Sequence, residues 1–147
     1  VIAAGGIADG RQMLAALALG AQAVQIGTRF AVTTESSSHP NYKRAVIEAE
    51  DNATVLTLKK VAPVRLKKNA FAIEAINAQI HGASKEEEIS LLGKKREMRG
   101  IFEGDTEQGE LEMGQSSGLV KDIISAEEVV RRLIAEYESA IQRINSL

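Results

Sequence analysis

Residues 1–30, VIAAGGIADGRQMLAALALGAQAVQIGTRF, decide the fold. The run VIAAGGI (1–7) is apolar up to its two glycines and has no polar face, the pattern of a short parallel strand covered on both sides. Asp9, followed three residues later by Gln12, has the spacing of a capping box, in which the carboxylate accepts from free amides of a helix's first turn. The helix then reads RQMLAALAL (11–19), with Leu14, Leu17 and Ala18 sharing one face, and Gly20 supplies the left-handed position that stops it. A second apolar strand, AVQIG (23–27), runs into Thr28, Arg29 and Phe30.

Strand, helix and strand with short joints form a βαβ unit, whose strands are parallel and adjacent. Gly6 and Gly27 therefore fall at the same carboxyl end of neighbouring strands, the edge where α/β folds bind ligands. Glycines there let an anion approach the backbone, and free N–H groups form a small nest that the Thr28 hydroxyl reinforces. Gly5 and Gly6 alone would be read as a corner; a second glycine at the matching strand end turns the reading toward a phosphate-binding strand end. The chain has no G-x-G-x-x-G and no Walker loop, so neither a dinucleotide fold nor a nucleoside triphosphatase is indicated.

Composition narrows the class. Only 3% of the 147 residues are aromatic, and the apolar weight rests on Ala, Ile, Leu and Val, the residues of α/β packing. A net charge of −2 from 18 basic and 20 acidic residues provides no global field for nucleic acid or an anionic membrane. Without cysteine there is neither a disulfide framework nor a thiolate metal site, and no stretch resembles a signal peptide or a membrane span. The expectation is a soluble, cytoplasmic protein with no metal.

AAGGIADGRQMLAALALGAQAVQIGTRF (3–30) closely resembles the signature of the nitronate monooxygenases, formerly called 2-nitropropane dioxygenases, and of the related FMN-dependent type II enoyl-acyl-carrier-protein reductases. The resemblance implies an α/β fold, the C-terminal portion of a TIM (β/α)8 barrel with a smaller, mainly helical second domain. It makes Gly5, Gly6, Gly27 and Thr28 the residues that grip the phosphate of FMN. A barrel needs eight strands and about 250 residues. With two barrel strands visible, the chain is expected to be the carboxy-terminal part of a longer protein, cut inside a strand. The implied organisation places the last barrel strands and phosphate site in 1–33, a smaller α/β or helical lid domain in 34–110, and a return loop with a C-terminal helix in 111–147.

The middle of the chain is read mostly from local signals. His39 or Ser38 caps a helix that begins at Pro40. ATVLTL (53–58) is a strand, and the cluster Lys59, Lys60, Arg65, Lys67 and Lys68 is read as a solvated face, the alternative being a seat for a pyridine nucleotide or an acyl-carrier protein. No aromatics are interleaved with these cations, so nucleic acid is rejected as a partner. NAFAIEAINAQIHG (69–82) places Ile73, Ile76 and Ile80 on one helical face, with His81 making a dipole contact at its end, and Ser84 with Glu87 repeats the capping-box spacing. The carboxylates Asp105, Glu107, Glu110 and Glu112 do not have the spacing of a calcium loop and are assigned to solvent and turns. The last helix is expected to be capped by Ser125 with Glu128 and to bury Val130, Leu133, Ile134, Tyr137, Ile141 and Ile144.

MGQSSGLV (113–120) is similar to a family element that returns to the active-site mouth, which puts Gln115 and Ser116 near the flavin ring or substrate; without the family it reads equally well as a tight turn. The resemblance implies oxidation of alkyl nitronates with O2 to a carbonyl compound and nitrite. Catalytic residues are expected upstream of Val1, since neither His39 nor His81 matches the family's active-site histidine in context, and this piece alone is expected to be inactive. The alternative within enzymes is reduction of an enoyl thioester by NAD(P)H. From a different class comes a non-catalytic assembly module, its open strand edges paired with another copy in a homodimer.

Overall fold

The structure, a computed structural model, describes residues 1–146. Strand β1 (Ile2–Ala4) pairs in parallel with β2 (Ala23–Gln25), Ile2 standing opposite Ala23 and Ala4 opposite Gln25. Helix α1 (Gly10–Ala18) connects them. Its capping box is complete: Asp9 Oδ1 accepts from the Gln12 amide at 2.8 Å, and Gln12 Oε1 accepts from the Ala8 and Asp9 amides at 2.7 and 3.3 Å. Gly20 follows with φ +99°, a conformation that glycine reaches without steric cost. The expected βαβ unit is therefore present. Its expected two-sided cover is not: Ile2 is 65% exposed, because among the described residues this sheet has two strands only.

The chain continues through α2 (Thr28–Ala31) and α3 (Pro40–Ile47) to an antiparallel pair, β3 (Thr54–Thr57) with β4 (Val64–Lys67). Then come α4 (Ala70–Ile80), α5 (Lys85–Leu92), a π-helical turn at Met98–Phe102, a 3-10 turn at Gln115–Leu119 and the long α6 (Ala126–Asn145). Two apolar cores form. Val32, Tyr42, Val46, Leu111, Met113 and Val120 make one; Leu58, Leu66, Phe71, Ala72 and Ala75 make the other. Residues 111–113 run along the edge of β4 and join them: the Lys67 amide donates to the Leu111 carbonyl and the Met113 amide to the Arg65 carbonyl, while Leu66 bridges Glu112.

The structure corrects several expectations. The cation cluster contains β4, whose Leu66 is wholly buried, so alternation within it was masked by its charges. Its cations are dispersed: Arg65 Nη1 donates to Thr54 Oγ1, and the Lys60 ammonium reaches carbonyls just past the end of α4. Helix α4 buries Phe71, Ala72 and Ala75, leaving Ile73 and Ile80 52% and 73% exposed. The Asn69 cap, with Thr57 Oγ1 bonded to Gln79, sets that rotation and turns the isoleucine stripe outward.

Helix α6 is likewise rotated from expectation, burying Val129, Leu133 and Ala140 while Val130, Ile134 and Ile144 are exposed. The cause is Gly10, the first residue of α1. A Cβ there would lie 2.3 Å from the Tyr137 nitrogen and 2.4 Å from the Leu133 oxygen, so the two helices meet backbone to backbone at this point. Ser125 caps α6 through the Glu128 amide at 3.2 Å, but the Glu128 carboxylate turns to Arg131 and Arg132 instead of completing the box. No helix of the described residues is long and apolar enough to cross a membrane.

Candidate functional site

The carboxyl ends of β1 and β2 meet the return loop at 114–118. Gly5 and Gly6 have φ +89° and +73°, consecutive left-handed residues that only glycine adopts without strain. A Cβ on either, or on Gly27, would find nothing within 4 Å. Gly27 differs in one respect: its φ is −96°, which any residue adopts, and with open space before it the fold itself does not require glycine there. The loop holding the pair is clamped from behind by the Gln12 bonds to Ala8 and Asp9.

Thr28 Oγ1 accepts from the Gly114 amide at 2.8 Å, a bond between residues 86 apart that pins the return loop to the end of β2. The Thr28 hydroxyl proton remains available to a ligand. A hollow of about 410 Å³ lies among Gly6, Gln12, Asp51, Gln115, Ser116 and Leu119. A second, of about 470 Å³, is lined by Gly27, Thr28, Tyr42, Arg65, Glu112 and Met113. The structure thus brings Gly6 together with Gln115 and Ser116, and Gly27 together with Thr28; Gly5 borders neither hollow and faces open space.

Tyr42, Asp51, Arg65 and Glu112 were not read from sequence as neighbours of this site. Tyr42 is buried, its hydroxyl donating to the Glu112 carbonyl at 2.5 Å, and burial, reinforced by the Glu112 charge, pushes it up to about 12. It therefore acts as a strut holding the loop. The expectation that the acidic segment faces solvent needs correction at Glu110, which is 5% exposed. Burial first, then the charges of Glu112 and Glu97, push its carboxyl up to about 7, against a smaller opposing pull from Arg96. Asp105 does serve a turn, accepting from the Glu107 and Gln108 amides and pairing with Arg99. No group of three or more potential metal ligands gathers among the described residues.

The histidines are structural. His39 Nδ1 accepts from the Asn41 amide at 3.1 Å and caps α3, with Gly104 so close that a Cβ would fall 2.1 Å from that nitrogen. His81 bonds the Asn77 carbonyl at the end of α4.

Parallel strand ends, glycines with open space before them and a loop returning over them define an α/β protein with an uncovered carboxyl strand edge. A family model described as nitronate monooxygenase matches residues 1–136, and the chain belongs to that family. It is 30% identical over 151 aligned residues to a nitronate monooxygenase of Neurospora crassa, covering 99% of this chain and 40% of that protein. Among solved structures it is similar to FabK from Thermotoga maritima, at TM-score 0.91 and 37% identity over 99% of this chain and 46% of that one. It is also similar to a nitroalkane oxidase from Streptomyces ansochromogenes, at TM-score 0.79 and 31% identity over 98% and 41% of the two chains. The chain thus spans less than half the length of each of these proteins.

Proposed function

We propose that this chain carries the flavin-phosphate cradle and one wall of the substrate site of an FMN-dependent nitronate monooxygenase, as the C-terminal part of a (β/α)8 barrel. On this reading residues 34–110 form the smaller lid domain and 111–147 return to the mouth. The observation that carries the proposal is the empty space before Gly27, beside a threonine hydroxyl with a proton to donate, at the strand edge where Gly5 and Gly6 are uncovered as well. A phosphate needs backbone donors it can approach closely, and a Cβ at any of the three glycines would stand in the open space before it.

The residues present fit such a group. Backbone amides at Gly6 and Gly27 and the Thr28 hydroxyl would donate to phosphate oxygens, and the Gln115 amide and Ser116 hydroxyl would face the ring edge or the substrate. When bound, FMN supplies the redox chemistry by which a nitronate and O2 become a carbonyl compound and nitrite. The protein's share is positioning and exclusion of water, which the Thr28–Gly114 bond and the Tyr42 strut serve by fixing the loop. A second reading, reduction of an enoyl thioester by NAD(P)H, is favoured by the likeness to FabK.

The test is made on the longer protein. Flavin released by denaturation is identified by mass, nitrite is measured with an alkyl nitronate, and NADH oxidation is measured with and without an enoyl thioester. FMN with nitrite release supports the monooxygenase. NADH oxidation stimulated by the thioester, without nitrite release, supports the reductase; a protein that retains no flavin overturns both.

A further inference from the structure

One residue beyond the glycine pair, Ala8 and Asp9 join residues of α2 and α6 around a cavity of about 220 Å³ separate from the hollows described above. Arg29 lines it. Its side chain is 8% exposed, and Nη1 donates to the carboxylate and carbonyl of Asp122 at 2.8 and 3.1 Å. Nε and Nη2, the other edge of the guanidinium, are buried and have no hydrogen-bond partner. These two parallel donors form the side-on fork that matches two oxygens of one anion. A buried donor pair of this kind is costly to leave empty, and the cavity exceeds the ~30 Å³ share of a single water.

The other polar groups around the cavity are already engaged. Asp122 takes Arg29 on one oxygen and Arg132 on the other. Glu136 accepts from the Gly10 amide, Asp9 accepts from Gln12 and Arg11, and the Lys121 ammonium donates to the Ala49 carbonyl. Asp122 and Asp9 are thus paired with arginines, whereas Glu136 bonds only a neutral amide and keeps its charge; the buried lining atoms that lack a partner are the two Arg29 donors.

We propose that this cavity is a binding site for a small oxyanion, held bidentately by Nε and Nη2 of Arg29. The shared chemistry is two acceptor oxygens on one centre, and either a small carboxylate or an inorganic oxyanion supplies it. An occupant would brace Ala8 and Asp9, and so would stiffen the phosphate cradle from behind.

The test titrates acetate, and separately inorganic phosphate, into the longer protein at constant ionic strength against chloride, following the Nε–H signal of Arg29 by NMR. A saturable shift with either anion is expected; acetate alone identifies a carboxylate site and phosphate alone an inorganic one. Arg29→Lys keeps the charge and removes the fork, and should weaken binding about tenfold or more. No saturable shift with either anion, as for a cavity holding water only, overturns the proposal. So does a folded R29K variant that binds as tightly as the parent. If R29K does not fold, the direct titration of the parent still decides.

Discussion

Replacing Gly27 with valine separates two roles that glycine has at this strand edge. Its φ of −96° is open to any residue, and a Cβ there meets nothing within 4 Å, so the flavin-free fold should change in stability by no more than about 0.5 kcal/mol. The same empty space is where the proposed phosphate must lie. Branched methyls would hold it off the backbone donors, at a loss of about 1.5–3 kcal/mol for a charge-assisted hydrogen bond, or roughly 10- to 150-fold in flavin affinity. Gly6→Ala is the contrast. At φ +73° it should cost about 1–2 kcal/mol of stability through strain as well as flavin binding. The assay is urea denaturation of the flavin-free longer protein together with flavin titration by fluorescence. A folded G27V protein with parental flavin affinity would refute the cradle; a large stability loss in G27V would refute the open space.

Gly10→Ala should destabilise by about 3 kcal/mol or more despite alanine's better helix propensity, since its methyl would meet α6 backbone at 2.3–2.4 Å; an unchanged denaturation midpoint would contradict the α1–α6 contact. Glu110, raised to about 7 in the fold from 4.5, binds a proton the unfolded chain has lost between those values, so stability should fall as pH rises across that window and level off above it. The loss is at most about 3 kcal/mol, and thermal melts of Glu110→Gln should show a shallower slope, the rest coming from Glu112, whose carboxyl is also pushed up by burial and the Glu97 charge. Arg96 bonds the Leu91, Leu92 and Gln108 carbonyls and lies 4.3 Å from the Phe71 ring centre. Arg96→Ala should therefore cost about 2–4 kcal/mol, with Arg96→Lys recovering only part, as read by urea denaturation.

What was legible in the sequence was local. The Asp9–Gln12 and Ser84–Glu87 boxes, the cap before Pro40 at Ser38 or His39, which proves to be His39, and the stop at Gly20 all depend on residues within four positions of one another, and all are present. The βαβ unit followed from them, and with it the placing of Gly6 and Gly27 at one sheet edge. Which face a helix buries was not local. An α4 carrying both an isoleucine stripe and a Phe71–Ala75 stripe satisfies helical periodicity either way, and β3 with the Asn69 cap chose between them. The same held for α6, where the choice fell to the contact at Gly10, 126 residues from its partner Glu136.

Glu110 looked like one more solvated acid because nothing near it in sequence shows that Gly100 lies against its backbone, so close that a Cβ there would fall 2.5 Å from its oxygen. The site divides along the same line. Its glycines are marked by residue type, since an unscreened backbone needs a missing side chain wherever it occurs. The Thr28–Gly114 bond, the Tyr42 strut and the empty fork of Arg29 join segments whose separation along the chain erases any periodic signal, and only tertiary packing brings them together.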